Sequence, residues 1–223
     1  MKWNNLLLLV IFCGGMFFFG GVAEASSGAI VDQYDYQDGE ITISYPHFDG
    51  MVNQAAQDKM NETVETLTEQ FIDDAYTRIE DAKQHKTHEF SSEVQLNYKV
   101  WYNDENIVSV VLNSYKFFGG AHGMSDLIGY TFNLQNGEVV PYTDIFKWDS
   151  DSRNLAYSCI MNKVNERNLV LFTEGQQNKL ALKLQNSDYV PNYYLADKDK
   201  AVIIFSQGEI AASAAGVLQF NMW

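Results

Sequence analysis

A long amphipathic helix is the strongest constraint on how this chain can fold. Between Met51 and about Lys83, apolar side chains recur at steps of three and four residues, which places them on one stripe of a helix. The stripe consists of Val52, Ala56, Met60, Val64, Leu67, Phe71, Ala75, Ile79 and Ala82. The remaining positions are mainly polar, so the helix must lie across an apolar surface, most simply one face of a β-sheet.

Strand patterns on both sides of this helix supply such a sheet. Residues 41–45 alternate between apolar and polar and end at Pro46, which predicts a first strand. Four further strands, joined as an antiparallel meander, are predicted over residues 94–102, 107–118, 128–134 and 139–140. Asn136-Gly137 favours a tight hairpin before the last strand, because this dipeptide tolerates positive φ angles. The patterns predict an α+β fold: an antiparallel meander sheet with the long N-terminal helix packed across it.

The last part of the chain is predicted to add a helical and hairpin portion. Helices are expected over residues 152–168 and 176–184, a hairpin over 193–205 and a final strand over 216–222. We expect residues 40–223 to form a single α+β domain. If this domain divides into subdomains, the seam is expected near residues 105–143.

The N-terminal residues predict export. Residues 1–25 combine Lys2, an apolar run and a small-x-small Ala23-Glu24-Ala25 site, which is typical of a cleaved signal peptide. The alternative is an uncleaved membrane anchor, because the run is about long enough to span a bilayer. Residues 26–39 are polar and acidic and are expected to form a loose leader. The predicted location is extracytoplasmic, either secreted or held at the bacterial cell envelope.

The charge balance limits the classes of partner. There are 15 Lys and Arg residues against 29 Asp and Glu residues, which gives a net charge of −14. Such a surface repels nucleic acid and anionic lipid and attracts cationic proteins. We therefore expect no nucleic-acid partner, and membrane contact only through an uncleaved N-terminal segment. Once a signal is removed, Cys159 is the only cysteine, so no intrachain disulfide is expected.

A glycine-rich stretch at the end of a predicted strand is the candidate functional site. Glycines clustered there indicate backbone at positive φ, or backbone that something approaches closely. The candidate contact residues for a ligand or partner are Tyr115, Phe117, Phe118, Gly119, Gly120, Ala121, His122 and Gly123.

His122 has three interpretations in this stretch. It can hydrogen-bond the backbone of its own loop, contact a ligand, or act as a general base with an acid such as Asp126 or Asp144.

His85 and His88 have helical spacing, but they lie in a cationic stretch where the helix should end, and positive charge there complements the helix dipole. The sequence has no nucleophile elbow, phosphate loop or dinucleotide fingerprint. No catalytic residue, metal site or cofactor is therefore predicted.

Several segments together resemble a known family. They are residues 115–123, the strand 130–134 with Asn136-Gly137, the segment 142–146, and the tail segments 193–195, 202–205 and 209–216. In this order and spacing they resemble the extracellular domain of RsiV-type anti-sigma factors, a domain that also precedes the catalytic domain of PdaC-type peptidoglycan deacetylases. The resemblance extends over Ile41 to Met222.

The resemblance implies an exported, non-catalytic α+β module of the cell envelope. In RsiV-type proteins this region binds lysozyme, and in the deacetylases it accompanies a wall-modifying enzyme. Only Met1–Asn5 precede the apolar run and nothing follows Trp223, so neither anti-sigma nor deacetylase activity is expected. The predicted function is a binding module for lysozyme or peptidoglycan. The alternative is an enzyme that acts on wall glycan or peptide through His122.

Overall fold

The computed structural model describes residues 28–85 and 91–222. The predicted signal or anchor over residues 1–25 and His88 lie outside these ranges. The elements are β1 (Ile30–Asp38), β2 (Ile41–Asp49), α1 (Gln54–Gln84), β3 (Glu93–Asn103), β4 (Ile107–Phe117), β5 (Met124–Asn133), α2 (Tyr142–Ile145), α3 (Ser150–Glu166), β6 (Thr173–Glu174), β7 (Gln177–Asn178), α4 (Lys179–Gln185), β8 (Asn192–Asp197), β9 (Lys200–Phe205) and β10 (Leu218–Asn221).

The amphipathic helix is present as α1, and most of its predicted stripe is buried, whereas Leu67, Phe71 and Ala82 are only half-buried. Asn53 caps its N-terminus, because its side-chain oxygen accepts a hydrogen bond from the Ala56 amide. The stripe packs on one face of a five-stranded sheet with the order β1-β2-β3-β4-β5. Val52 precedes the helix and is fully exposed.

The predicted meander is confirmed for β3, β4 and β5, which pair antiparallel in sequence order. The pairing of β2 with β3 is parallel, because α1 crosses over between them. The predicted strand over 139–140 is reduced to one bridge between Val139 and Phe132, since Pro141 leads directly into α2.

The loose leader predicted over residues 26–39 is wrong for the part of it that forms β1. This strand pairs antiparallel with β2 along its whole length and forms an edge of the sheet. Val31, Tyr34 and Tyr36 pack partly against the α1 core, while most other residues of β1 are exposed. An edge strand needs few apolar residues, which explains why its polar composition concealed it.

The C-terminal portion forms a second sheet with the order β10-β9-β8 and two helices. The predicted hairpin is confirmed as β8–β9. The helix predicted from Gln176 begins three residues later as α4, because Gln177–Asn178 pair with Thr173–Glu174 and Asn178 caps the helix. None of the helices in the described ranges is long and apolar enough to cross a bilayer.

Three buried clusters define four stacked layers. The first joins α1 to the five-stranded sheet, and the second joins α3 and α4 to the three-stranded sheet. The third lies between the sheets, where Val111 of β4 meets Tyr194, Val202 and Ile204. Alternate residues of β8 and β9 therefore face the helices and the larger sheet in turn.

Polar contacts also hold the two sheets together. The buried Ser109 hydroxyl accepts a hydrogen bond from the Leu195 amide at 3.0 Å and lies 2.9 Å from the Thr131 hydroxyl. The Asn192 side chain accepts from the Gly129 amide at 2.9 Å and donates to the Leu127 carbonyl at 2.8 Å. These bonds fix where β8 crosses β5.

Several backbone groups on the outer edge of β5 form hydrogen bonds outside the sheet. Besides the two bonds to Asn192, the Ser125 amide donates to the Gln207 side chain at 2.7 Å. Further along, the Val140 amide donates to the Thr131 carbonyl at 2.7 Å. Although β5 is the last strand of its sheet, side chains and one short segment occupy the positions of a further strand.

Candidate functional site

The glycine-rich stretch forms the connection between β4 and β5, whose last pair is Lys116 opposite Met124. Gly119 and Gly120 have φ angles of 103° and 101°. L-residues rarely adopt these angles, so the loop conformation requires both glycines. Gly120, Ala121 and His122 are exposed at its tip.

Gly123 is required for a different reason, close packing. A Cβ atom added there would lie 2.4–2.5 Å from ring atoms of Tyr115. The backbone that leaves the loop therefore lies directly on the Tyr115 ring. The fold therefore brings together two of the candidate contact residues, Tyr115 and Gly123 at the end of the loop.

The three candidate aromatic residues do not share one side of the sheet. Phe118 packs against the α1 core, with the Arg78 guanidinium 6.0 Å from its ring centroid. Tyr115 and Phe117 alternate with Lys116 and lie on the opposite face, where both are half-buried. Phe118 thus anchors the loop on one side, and Tyr115 supports it on the other.

His122 is exposed and bonds its own loop. Its Nδ1 lies 3.1 Å from the Gly123 carbonyl oxygen, so the bond requires the Nδ1-protonated tautomer. Within the described residues, neither Asp126 nor Asp144 forms a hydrogen bond or ion pair with His122. These residues also contain no group of three or more His, Cys, Asp or Glu that could hold a metal ion.

An ion-pair network fixes β4 just before the loop. The Asp74 carboxylate of α1 accepts hydrogen bonds from Lys116 at 2.6 Å and from Arg78 at 2.8 Å. The Lys116 ammonium also lies 4.4 Å from the centroid of the Phe71 ring. Burial alone would raise the pKa of the Asp74 carboxyl, but the hydrogen bonds from Lys116 and Arg78 outweigh it and hold that pKa below its usual value.

Asp74→Asn is expected to cost about 1 kcal/mol at pH 7, because solvent partly screens the network. Since the folded pKa lies below the ordinary value of 3.8, the contribution is complete above that value and is lost as pH falls through the folded pKa. The difference in urea midpoint between parent and variant should therefore stay constant from about pH 7 to about pH 5 and narrow below about pH 4. Asp73→Asn removes an equal charge from an exposed neighbour and should show little difference. If the difference in urea midpoint between parent and Asp74→Asn does not narrow in acid, the stabilising role of the ionised Asp74 carboxylate is contradicted.

Gly120→Val is expected to destabilise the protein by about 2 kcal/mol, because a β-branched residue is strained at a φ of 101°. No atom lies within 4 Å of the position of a Cβ at Gly120, so the cost is conformational and not a clash. Thermal unfolding followed by circular dichroism measures it. Ala121→Val, at an exposed neighbour outside the positive-φ residues, is the control. Equal melting temperatures for the two variants would refute the conformational role of Gly120.

A second surface borders the loop, and the sequence patterns did not single it out. It lies on the face of β3 and β4 that points away from α1, beyond the part covered by β8 and β9. We call it the open face, and it consists of Gln95, Asn97, Lys99, Trp101, Asn113 and Tyr115. Tyr115 is half-buried and the others are exposed. The open face could be located only once the position of the second sheet was known.

A small cavity of about 30 Å³ lies between α3 and α4, lined by Arg153, Asn154, Tyr157, Ala181, Leu184 and Gln185. It can hold one or two water molecules and is too small for an organic ligand. The loop and the open face are therefore the better candidates for binding.

Comparison with known structures first defines the class of fold. A crystal structure of a DUF3298-family protein from Bacteroides fragilis NCTC 9343 superposes with a TM-score of 0.61 at 17% identity, covering 88% of this chain and 91% of that chain. The two proteins share a fold. A DUF3298-family protein from Pseudomonas aeruginosa PAO1 gives a TM-score of 0.43 at 14% identity, with 86% and 88% covered.

Sequence comparison then shows which family part of the chain is similar to. Residues 34–125 match the family model described as Deacetylase PdaC, so this part of the chain is similar to that family, and the match ends just past the loop. The peptidoglycan-N-acetylmuramic acid deacetylase PdaC of Bacillus subtilis (strain 168) is 24% identical over 160 residues, which are 68% of this chain and 34% of the deacetylase. The chain therefore spans about a third of that enzyme's length. The predicted resemblance to PdaC-type proteins is confirmed.

Proposed function

We propose that this protein is a non-catalytic binding module of the bacterial cell envelope and that its ligand is peptidoglycan. The observation that carries the proposal is the exposed glycine loop, which is held in a fixed position between Tyr115, Phe118 and the Asp74 network. An exposed, convex contact suits a polymer better than a small molecule, which needs a concave pocket. The PdaC relative is named for an activity on peptidoglycan, which supports this class of ligand.

An extracytoplasmic location is part of the proposal. It rests on the signal-like pattern of residues 1–25 and on the wall polymer in the name of the relative. Fractionation of cells into cytoplasm, membrane and medium, followed by immunoblotting, tests it. Recovery of the protein in the cytoplasm alone would refute it.

The non-catalytic assignment rests on the surroundings of His122. A general base needs a substrate site and usually a partner that orients its ring. His122 is exposed on a loop tip and bonds the Gly123 carbonyl. The alternative, a wall hydrolase or modifying enzyme that uses His122, predicts activity that His122→Ala abolishes.

Co-sedimentation with purified peptidoglycan sacculi tests the proposal. We expect the protein to appear in the pellet, and Gly120→Val to reduce the bound fraction. The supernatant is assayed for released acetate, reducing sugar and peptide, with His122→Ala in parallel. A protein that stays in the supernatant contradicts binding, and product release that depends on His122 contradicts the non-catalytic assignment.

A cationic lysozyme is the second candidate ligand, and the net charge of −14 favours it. Long-range attraction of this kind is screened at physiological salt, whereas a fitted interface is screened much less. Calorimetric titration of the protein with a cationic lysozyme, at low and at physiological salt, distinguishes long-range attraction from a fitted interface. Binding that survives physiological salt would make lysozyme the better assignment, and binding that disappears would reduce it to nonspecific attraction.

A further inference from the structure

We infer that the open face is the site that binds the glycan strand of peptidoglycan, with N-acetylated sugars as the recognised units. This inference rests on the proposed function and extends the contact surface from the loop onto β3 and β4. It follows from the strand register, the exposure of the side chains and the charge of this face.

The register places amide side chains opposite one another. Asn97 of β3 pairs with Asn113 of β4, and Gln95 pairs with Tyr115. Directly opposite side chains on one face lie about 5 Å apart. Each amide both donates and accepts hydrogen bonds, as do the N-acetyl and hydroxyl groups of the sugars. A row of exposed amides therefore matches this ligand.

Trp101 supplies an aromatic surface at one end of the row. Trp101 is the unpaired residue at the register shift between Val100 and Tyr102, and its ring stacks on Tyr194 of the second sheet at a centroid distance of 4.7 Å. Tyr194 is 4% exposed and holds the ring in place, while Trp101 remains 37% exposed. Tyr194 covers one face of the indole and the Lys99 ammonium lies over the ring, 3.4 Å from its centroid, so a sugar ring can pack against the indole once the Lys99 side chain moves aside.

Lys99 gives the open face a positive charge. Its ammonium lies 3.4 Å from the centroid of the Trp101 ring, and no carboxylate in the described ranges forms an ion pair with it. None of the six open-face residues is acidic, but the exposed Glu93 precedes them on the same face of β3 and its carboxylate accepts a hydrogen bond from the Gln95 side-chain amide at 2.7 Å. The flexible Lys99 side chain can leave the ring and pair with a carboxylate of a peptide stem. Lys99 can therefore contribute a favourable charge contact to an anionic wall polymer bound at this face.

The dimensions suit an extended chain. Gln95 and Trp101 are six positions apart on β3, a span of about 20 Å. The loop lies beyond the Tyr115 end, and β8 with Tyr194 borders the Trp101 end. A short oligosaccharide can lie along the strand between these two boundaries.

Calorimetric titration with the tetramer of N-acetylglucosamine tests the ligand assignment, with the acetyl-free glucosamine tetramer as its control. We expect the acetylated tetramer to bind and the acetyl-free one to bind about tenfold more weakly or not at all, because the amides lose their N-acetyl partners. Binding of sacculi without binding of the acetylated tetramer would overturn the sugar assignment.

Two matched pairs of variants test the location. Trp101→Ala should weaken tetramer binding about tenfold or more, whereas Phe172→Ala, at a residue of nearly equal exposure (38% against 37%), should not. The double variant Asn97→Ala/Asn113→Ala should weaken it similarly, whereas Asn162→Ala/Asn165→Ala on the exposed side of α3 should not. Circular dichroism confirms that each variant is folded.

The outcomes separate this inference from the proposed function. If the parent protein does not sediment with sacculi, the proposed function fails. If the parent sediments and the open-face variants bind sacculi and tetramer as the parent does, the proposed function stands and the location on the open face is wrong. Equal losses in the open-face variants and their controls would also overturn the location.

Discussion

Gly129→Ala is expected to destabilise the protein by about 3 kcal/mol or more. A Cβ atom at this position of β5 would lie 1.8 Å from the Tyr193 carbonyl oxygen and 2.5 Å from its carbonyl carbon. Both atoms belong to the backbone of β8, which cannot turn aside as a flexible side chain can. To accommodate one methyl group, β8 must move away and weaken the Asn192 bonds to β5.

Urea and thermal unfolding measure this effect. For a chain of this length, about 3 kcal/mol corresponds to a fall in melting temperature of roughly 6–12 °C. The control is Gly39→Ala, which has a φ of 53° and no atom within 4 Å of the added Cβ, so it pays only a conformational cost of about 1 kcal/mol. If the two variants lose equal stability, the close approach of β8 to β5 is not as described.

Gly137→Ala is expected to lower the free energy of unfolding by a similar amount, about 3 kcal/mol, because two separate costs add together. Its φ is 70°, and its Cβ would lie 2.4 Å from the Ala56 carbonyl oxygen in the first turns of α1. The hairpin after β5 therefore touches the backbone of the helix that organises the fold. Any shift here also disturbs the pair between Lys59 and Glu138.

Gly175→Ala separates the two causes. Its φ of 62° is close to that of Gly137, but no atom lies within 4 Å of its Cβ position. The two variants share the conformational cost, so the difference between their free energies of unfolding measures the clash with α1. A difference close to zero would contradict the contact between the hairpin and the helix.

Local periodicity accounts for the parts of the fold that could be predicted. The stripe of α1, the alternation in β3 and the β8–β9 hairpin are all encoded within short windows of sequence. The edge strand β1 was not recognised, because its outer residues need no apolar pattern. Parallel pairing of β2 with β3 is a tertiary consequence of the helical crossover, which no local window contains.

The site was predictable to a similar extent. Clustered glycines indicated special backbone geometry at the loop, and Gly119 and Gly120 adopt it. The open face could not be assigned, because alternation distinguishes two faces of a strand without saying which of them another sheet covers. Gly129 did carry a usable signal, since an isolated glycine within a strand pattern indicates close approach by another backbone.

The bonded edge of β5 bears on how a partner can approach. Many recognition domains capture an extended peptide by letting it continue their sheet, and the same unpaired groups allow copies of one chain to polymerise. Here Gln207 and Asn192 already occupy the Ser125 and Gly129 amides and the Leu127 carbonyl. A ligand on this side of the molecule must therefore be recognised through side chains on the face of the sheet. Side chains on a face can bind sugars as well as peptides, whereas a free strand edge favours peptides.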